Sequence, residues 1–140
     1  MKFLSEEFIK NSIIKYLSRN EWGTSLSFGA LHERGVDVRV RHNRYSRYFL
    51  IECKGEGNTG KHHEVAFIYS LGQIMTRMTA GGTTRTYYGI GLPSKAAKIA
   101  LRRLPWQVAK KLLLYVFSVA ADGTVTQYAW QDLKKSQVKV

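Results

Sequence analysis

Three charged residues have the types and spacing of a hydrolytic metal site. Asp37 precedes a polar segment, and Glu52 and Lys54 follow that segment with one residue between them. Side chains two residues apart on a strand share a face, so Glu52 and Lys54 are expected to point the same way. Two carboxylates on neighbouring strands repel each other unless a cation lies between them. Asp37 and Glu52 therefore predict an oxygen-ligand site for Mg²⁺, with Mn²⁺ as a substitute.

Such a site supplies what hydrolysis of a phosphodiester requires. A metal polarises the phosphoryl oxygen, a water attacks in line, and positive charge stabilises the developing oxyanion. Lys54 is predicted to act on the water or the phosphate, because an ammonium cannot ligate Mg²⁺. The alternative interpretation is a surface ion pair in which Arg39 or Lys54 neutralises Glu52.

A β-hairpin would bring the two carboxylates together. Strand patterns at 36–41 and 48–54 flank the polar segment 42–47. If the hairpin is symmetric about Arg44 and Tyr45, Asp37 faces Glu52 on one side of the sheet. The other side then carries only apolar residues, among which Cys53 is expected to be a small buried hydrophobe: Val36, Val38, Val40, Phe49, Ile51 and Cys53.

Helices are predicted on both sides of this hairpin in the sequence. Ser5 is a candidate N-cap for a first helix, in which Glu6 lies near the apolar face and Glu7 points towards Ile14. A second helix is predicted over 64–79, with Gln73 opposite its apolar residues, which are Val65, Ile68, Leu71, Ile74, Met75 and Met78.

The rest of the chain alternates between strand and helix patterns. Strands are predicted at 86–92, 112–119 and 125–130, with a hairpin turn at Asp122-Gly123 between the last two. A helix over 94–104 is expected to stop at Pro105, and a terminal helix begins near Gln131. The pattern predicts an α/β fold formed by a single domain over residues 1–140.

Composition limits the partners. The chain of 140 residues has 22 Lys and Arg against 10 Asp and Glu, a formal charge of +12 that points to a polyanion. The single cysteine excludes a disulfide framework, and no apolar run is long enough for a membrane span. Glu6 and Glu7 interrupt the apolar stretch near the start of the sequence, so no signal peptide is expected there. We therefore expect a cytoplasmic protein that has no membrane contact.

Basic residues concentrate in three places, which are the hairpin, the third predicted helix and the group Lys134, Lys135 and Lys139. Those near the hairpin lie where a phosphate backbone would pass to reach the metal. Those on the helix follow helical spacing, which also fits an ordinary solvated face. The predicted nucleic-acid contacts are Arg34, Arg39, Arg41, Arg44, Arg47, Lys95, Lys98 and Arg102.

Three segments resemble the PD-(D/E)xK nuclease superfamily, which includes restriction endonucleases, repair nucleases and archaeal Holliday junction resolvases. The segments are Gly35-Val36-Asp37, Phe49-Leu50-Ile51-Glu52-Cys53-Lys54-Gly55 and Leu71-Gly72-Gln73-Ile74, and the likeness in element order spans 5–92. Val36 stands where the motif name has Pro. The resemblance implies a restriction-endonuclease-like core, that is, a central mixed sheet with helices on both faces.

The resemblance also implies roles for individual residues. Asp37, Glu52 and the carbonyl of Cys53 would ligate the metal, and Lys54 would position the water. A carboxylate of the first helix, Glu6 in preference to Glu7, would complete the site, and Gln73 would approach it from the second helix. Gln73 favours the branch that resembles restriction enzymes.

The function expected from the sequence is therefore Mg²⁺-dependent hydrolysis of DNA by an endonuclease without a small-molecule cofactor. One alternative is a Holliday junction resolvase that acts as a homodimer, since a four-way junction needs two cuts. Another is a non-catalytic nucleic-acid-binding module on a nuclease fold.

Overall fold

A computed structural model of the chain describes residues 4–22, 27–28, 38–45, 47–56, 63–78 and 85–138. Asp37 and Arg34 lie outside these residues. Within them the chain forms helices α1 (Glu6–Arg19), α2 (His63–Thr76), α3 (Ser94–Arg103), α4 (Trp106–Leu112) and α5 (Trp130–Gln137). The strands are β1 (Ser27–Phe28), β2 (Val38–Arg41), β3 (Arg47–Cys53), β4 (Arg85–Pro93), β5 (Leu114–Val119) and β6 (Val125–Tyr128).

The strands form one mixed sheet in the order β1-β2-β3-β4-β5-β6. The first three strands are antiparallel, β3, β4 and β5 run parallel, and β6 returns antiparallel to β5. Parallel neighbours need a crossover connection, which α2 supplies between β3 and β4 and α3 with α4 supply between β4 and β5. The predicted α/β class and mixed sheet are confirmed.

The hairpin register agrees with the prediction wherever both strands are described. Val38 pairs with Ile51, Arg39 with Leu50, and Val40 with Phe49, and the turn is closed by a 2.9 Å hydrogen bond from the amide of His42 to the carbonyl of Arg47. The alternation of apolar and polar residues fixes this register, because a slip by one residue would expose the apolar side.

Each face of the sheet has its own apolar core. On one face α1 buries Ile9, Ile13 and Leu17 against β2, β3 and β5. On the other face α2, α3, α4 and α5 cover β4 and β5, where Ile90 and Val116 are fully buried. Helices thus lie on both faces of the sheet, and β3 directs its odd-numbered residues from Phe49 to Cys53 towards α1.

Two predicted elements are wrong in detail. Helix α2 buries Ala66, Phe67, Ser70 and Ile74, whereas three residues of the predicted apolar face are exposed: Val65, Ile68 and Met75.

The second error concerns the segment after α3. Pro105 ends α3 as predicted, but it is also the N-cap of the unpredicted helix α4. The C-cap of α4 is Leu113, which has a left-handed conformation with φ of 53°. Strand β5 accordingly begins at Leu114, two residues later than predicted. Among the described residues, no helix combines the length and apolar content that crossing a membrane requires.

Candidate active site

A cleft lies at the carboxyl end of β3, between the start of α1 and the exposed side of α2. Its volume is about 320 Å³. The lining includes Glu6, Glu52, Lys54 and Gln73, four residues that sequence reasoning selected from three separate segments. The complete lining is Glu6, Glu52, Cys53, Lys54, Tyr69, Ser70, Gln73 and Arg77.

Glu52 is the buried carboxylate of this cleft. It lies on the α2 side of the sheet, since its neighbours Ile51 and Cys53 belong to the core under α1, and it is only 7% exposed. Its Oε1 lies 3.7 Å from Nε of Arg77, close enough for an ion pair but too far for a hydrogen bond. A buried carboxylate requires a compensating cation, and Arg77 supplies one.

Lys54 follows β3 directly and points to the same side as Glu52. Its amide donates a 3.0 Å hydrogen bond to the carbonyl of Gly91, which continues the pairing with β4 beyond the end of the strand. Its ammonium lies 4.6 Å from the ring centroid of Tyr69 on α2. This cation–π contact holds the charged group at the wall of the cleft.

Hydrogen bonds on either side of Glu6 in the sequence hold the start of α1, and Glu6 with it, at the cleft. The hydroxyl of Ser5 accepts a hydrogen bond from the amide of Phe8 and so caps α1. Leu4 and Glu56 exchange two hydrogen bonds of 2.7 Å, which tie the start of α1 to the segment after β3. Glu7 is not among the lining residues, so of the two candidate carboxylates Glu6 is the one that reaches the cleft.

Gly55 allows this close approach of α1 and β3. A Cβ at position 55 would overlap the backbone nitrogen of Glu6 and lie 2.7 Å from the carbonyl carbon of Ser5. Any larger residue would push the start of α1, and Glu6 with it, away from the end of β3.

Three lining residues in and directly after α2 were not assigned to the site from the sequence, namely Tyr69, Ser70 and Arg77. Tyr69, Gln73 and Arg77 are spaced four residues apart and so lie on one side of the helix, with Ser70 beside them. The signal was present in the sequence as this spacing around Gln73. The sequence pattern also places Arg77 on the side of Gln73, but only Gln73 was assigned to the site.

Cys53 is one of the lining residues of the cleft, but its side chain points away from the cleft into the core under α1. The side chain is 3% exposed and belongs to the core under α1, as predicted. The part of Cys53 that reaches the cleft is therefore its main chain, which is the group that the family resemblance assigns to the metal.

The predicted basic contacts of the hairpin have different environments. Arg39 is exposed and its guanidinium lies 5.4 Å from the ring centroid of Tyr48. Arg44 forms a 2.9 Å ion pair with Glu21, and Arg47 lies over the ring of Tyr45 at 5.0 Å.

The other predicted contacts lie on the sheet and on α3. Arg41 is half-buried and, two residues after Arg39, lies on the same side of β2. Lys95, Lys98 and Arg102 are all exposed on α3.

The described residues offer two carboxylates as possible metal ligands, Glu52 and Glu6. Within the part of the chain that is described, no three His, Cys, Asp or Glu side chains form a group that could hold a metal. Mg²⁺ is commonly held by one or two carboxylates together with waters and substrate phosphates, so this oxygen donor set fits it. Zinc sites in proteins usually contain His or Cys ligands beside any carboxylate, and the described lining of this cleft offers no His side chain and no exposed thiol.

Comparisons with protein-family models, with curated proteins and with solved structures find no match. The family expected from the sequence motifs therefore stays a prediction.

Proposed function

We propose that the chain is a Mg²⁺-dependent nuclease that hydrolyses DNA phosphodiester bonds in the cleft at the carboxyl end of β3. The observation that carries the proposal is the shared cleft of Glu52, Lys54, Glu6 and Gln73. These residues come from three elements and were chosen from the sequence for one chemistry. Their meeting in one cleft is not required by the α/β fold itself.

The metal would be held by carboxylates. Glu52 and Glu6 would supply oxygen ligands with the main-chain carbonyl of Cys53, and Asp37, the predicted partner of Glu52, would add a third carboxylate. When bound, Mg²⁺ supplies Lewis-acid polarisation of the phosphoryl oxygen and a more acidic water. The strand register from Val38 to Arg41 supports the predicted pairing of Asp37 with Glu52.

The remaining polar side chains act on the water and the phosphate. The Lys54 ammonium, held against Tyr69, would hydrogen-bond the attacking water or neutralise charge on the phosphoryl oxygens. The Gln73 amide can both donate and accept, so it can orient a water in the same cleft.

Arg77 has two roles in this proposal. Without a metal it neutralises the buried carboxylate of Glu52 across 3.7 Å. A metal bound to Glu52 would repel the guanidinium, which would then face the phosphate backbone entering the cleft.

The charge of the chain supports DNA as the polyanion. Arg39 and Arg41 lie on the side of the sheet that Glu52 faces, so a backbone crossing β2 towards the cleft would pass them. Arg34, Arg44 and Arg47 would extend this contact, and a formal charge of +12 would draw the substrate towards it. The predicted α3 contacts Lys95, Lys98 and Arg102 would meet the DNA outside this path.

A second candidate is a Holliday junction resolvase that acts as a homodimer. One observation favours it: α2 exposes Val65, Ile68 and Met75, which are 59%, 49% and 49% exposed, on the helix that also carries Gln73. Exposed apolar residues that cluster on one helix mark a surface for protein contact. A dimer formed there would bring two clefts onto one junction.

The experiment is a cleavage assay on linear duplex, single-stranded and four-way-junction DNA, each in Mg²⁺ and in EDTA. We expect Mg²⁺-dependent cleavage of the linear duplex. Paired cuts in the junction alone would favour the resolvase. Salt-dependent binding without cleavage of any substrate would refute the nuclease and leave the binding module.

A further inference from the structure

The outer surface of α3, α4 and α5 is strongly basic. Asp132 is the one acidic residue of these three helices, and its carboxylate accepts a 2.8 Å hydrogen bond from the amide of Ala129 at the start of α5. Seven of the exposed cations on these helices form no ion pair with any residue that the structure describes. We define the basic helical face by these residues: Lys95, Lys98, Arg102, Lys110, Lys111, Lys134 and Lys135.

A pair of tryptophans fixes two of these lysines. The rings of Trp106 and Trp130 stack with centroids 5.8 Å apart. Lys110 places its ammonium 4.7 Å from the Trp130 ring, and Lys134 places its own 4.7 Å from the Trp106 ring. None of these four residues was among the predicted nucleic-acid contacts, although Lys134 belongs to a basic group of the sequence. Two ammonium groups held in this way lose less side-chain entropy when they bind an anion than free lysines would.

One glutamine joins the three helices. The side-chain nitrogen of Gln137 donates to the carbonyls of Leu101 at 2.9 Å and Leu104 at 2.6 Å, while its Oε1 accepts from the amide of Trp106 at 3.1 Å. The basic helical face is therefore carried by one connected unit of three helices.

The tryptophan and lysine cluster lies at the opposite end of the strands from the cleft. Helix α4 runs directly into the amino end of β5, and α5 follows the end of the antiparallel β6 at the same edge. The cleft lies at the carboxyl end of the parallel β3, which has seven residues. At about 3.3 Å per residue this separates the tryptophan and lysine cluster from the cleft by about 20 Å, or about six base-pair steps. Lys95, at the start of α3, lies nearer the edge of the sheet that carries the cleft. Both surfaces lie on the α2 side of the sheet.

We propose that the basic helical face binds a second segment of nucleic-acid backbone, apart from the segment that enters the cleft. The array of cations with almost no acidic residue complements a line of phosphates. An anionic membrane fits less well, because a helix that lies on a membrane needs a broad apolar side. The large apolar residues exposed in 94–138 are only Val108 and Val138. The inference rests on the proposed function only in taking DNA as the polyanion.

Binding of a labelled 30-base-pair duplex, measured by fluorescence anisotropy in EDTA over a range of salt, tests this surface. The face variant is Lys111→Gln with Lys135→Gln. The matched control is Lys15→Gln with Arg19→Gln, two exposed cations of α1 on the other side of the sheet that form no ion pair with any described residue. Each variant loses two charges, so the pair separates a local contact from net charge.

We expect the face variant to lower the slope of log K against log salt by up to about 1.8, which is about 0.9 for each lost phosphate contact. The affinity would fall by up to roughly 60-fold at 0.1 M salt, and the control would stay within about twofold of the wild type. Lengthening the duplex from 8 to 16 base pairs should raise the affinity of the wild type. The same change should raise the affinity of the face variant by a smaller factor.

Equal weakening by both variants would overturn the inference, because net charge alone would then explain binding. No binding by the wild type in EDTA, or tighter binding to phosphatidylserine vesicles than to the duplex, would overturn it too. Binding at the face without cleavage in Mg²⁺ would instead refute the proposed nuclease and leave this inference standing.

Discussion

Arg77 occupies the position beside Glu52 that a metal would need, so its removal should tighten Mg²⁺ binding. A Mg²⁺ bound to Glu52 would lie about 5 Å from a guanidinium that stays near Oε1. Even at the dielectric constant of water, a divalent ion and a unit charge at that separation repel by about 1.7 kcal/mol. The side chain of Arg77 is one-third exposed, which justifies this strongly screened value. We predict that Arg77→Gln lowers the Kd for Mg²⁺ roughly 15-fold.

Isothermal titration calorimetry without DNA measures this change directly. The control is Arg19→Gln, which removes an equal charge from an exposed residue on the other side of the sheet. We expect the control to leave the Kd for Mg²⁺ within about twofold of the wild type, since exposed charges at long range are screened. Unchanged or weaker Mg²⁺ binding by Arg77→Gln would refute the competition between Arg77 and the metal.

The site and its supports yield further predictions. Lys54→Ala should keep its Mg²⁺ affinity by calorimetry while single-turnover cleavage falls roughly 100-fold or more, because the ammonium acts on the water or phosphate. Tyr69→Leu should slow cleavage about two- to fivefold, whereas Tyr69→Phe keeps the ring and the rate. Gly55→Ala should lower the free energy of unfolding by about 1–3 kcal/mol, since its Cβ would overlap the backbone of Glu6. Gly72→Ala should raise it by about 0.5–1 kcal/mol, because Gly72 lies within α2 with nothing within 4 Å of an added Cβ.

Several results would contradict these predictions. Loss of Mg²⁺ binding in Lys54→Ala would make the lysine a support of the metal ligands instead of a group that acts on the substrate. Equal rates in Tyr69→Leu and Tyr69→Phe would show that the ring does not position Lys54. Chemical denaturation compares the two glycine variants, and equal stabilities would remove the argument that Gly55 is required for the approach of α1.

The hairpin could be predicted from sequence because two independent signals agree there. Strict alternation along both strands fixes which residues face the core, and the polar turn around Arg44 and Tyr45 fixes the register. The N-cap at Ser5 is a local signal of the same kind, since a side-chain oxygen and one nearby amide suffice to form it.

Helix α2 could not be assigned correctly because apolar residues surround it. Ala66 and Ser70 are buried since small side chains let the helix approach the sheet, whereas the larger Val65 and Ile68 are exposed. The spacing of apolar residues predicts which side of a helix is apolar, but it does not show which neighbouring element α2 packs against. The pattern places Arg77 on the side of Gln73, but it does not show that Arg77 lies beside Glu52 of β3.

The proposed nuclease hydrolyses DNA in the cleft, and single-turnover cleavage of a labelled duplex by Glu52→Gln tests this most directly. This variant keeps the shape of Glu52 and removes its charge, and a contaminating nuclease would be unaffected by it. We predict cleavage by the wild type in Mg²⁺ and none in EDTA. Glu52→Gln should lose cleavage by at least about 100-fold and still bind the duplex in EDTA. Cleavage by Glu52→Gln at the wild-type rate, or no Mg²⁺-dependent cleavage by the wild type, would contradict the account.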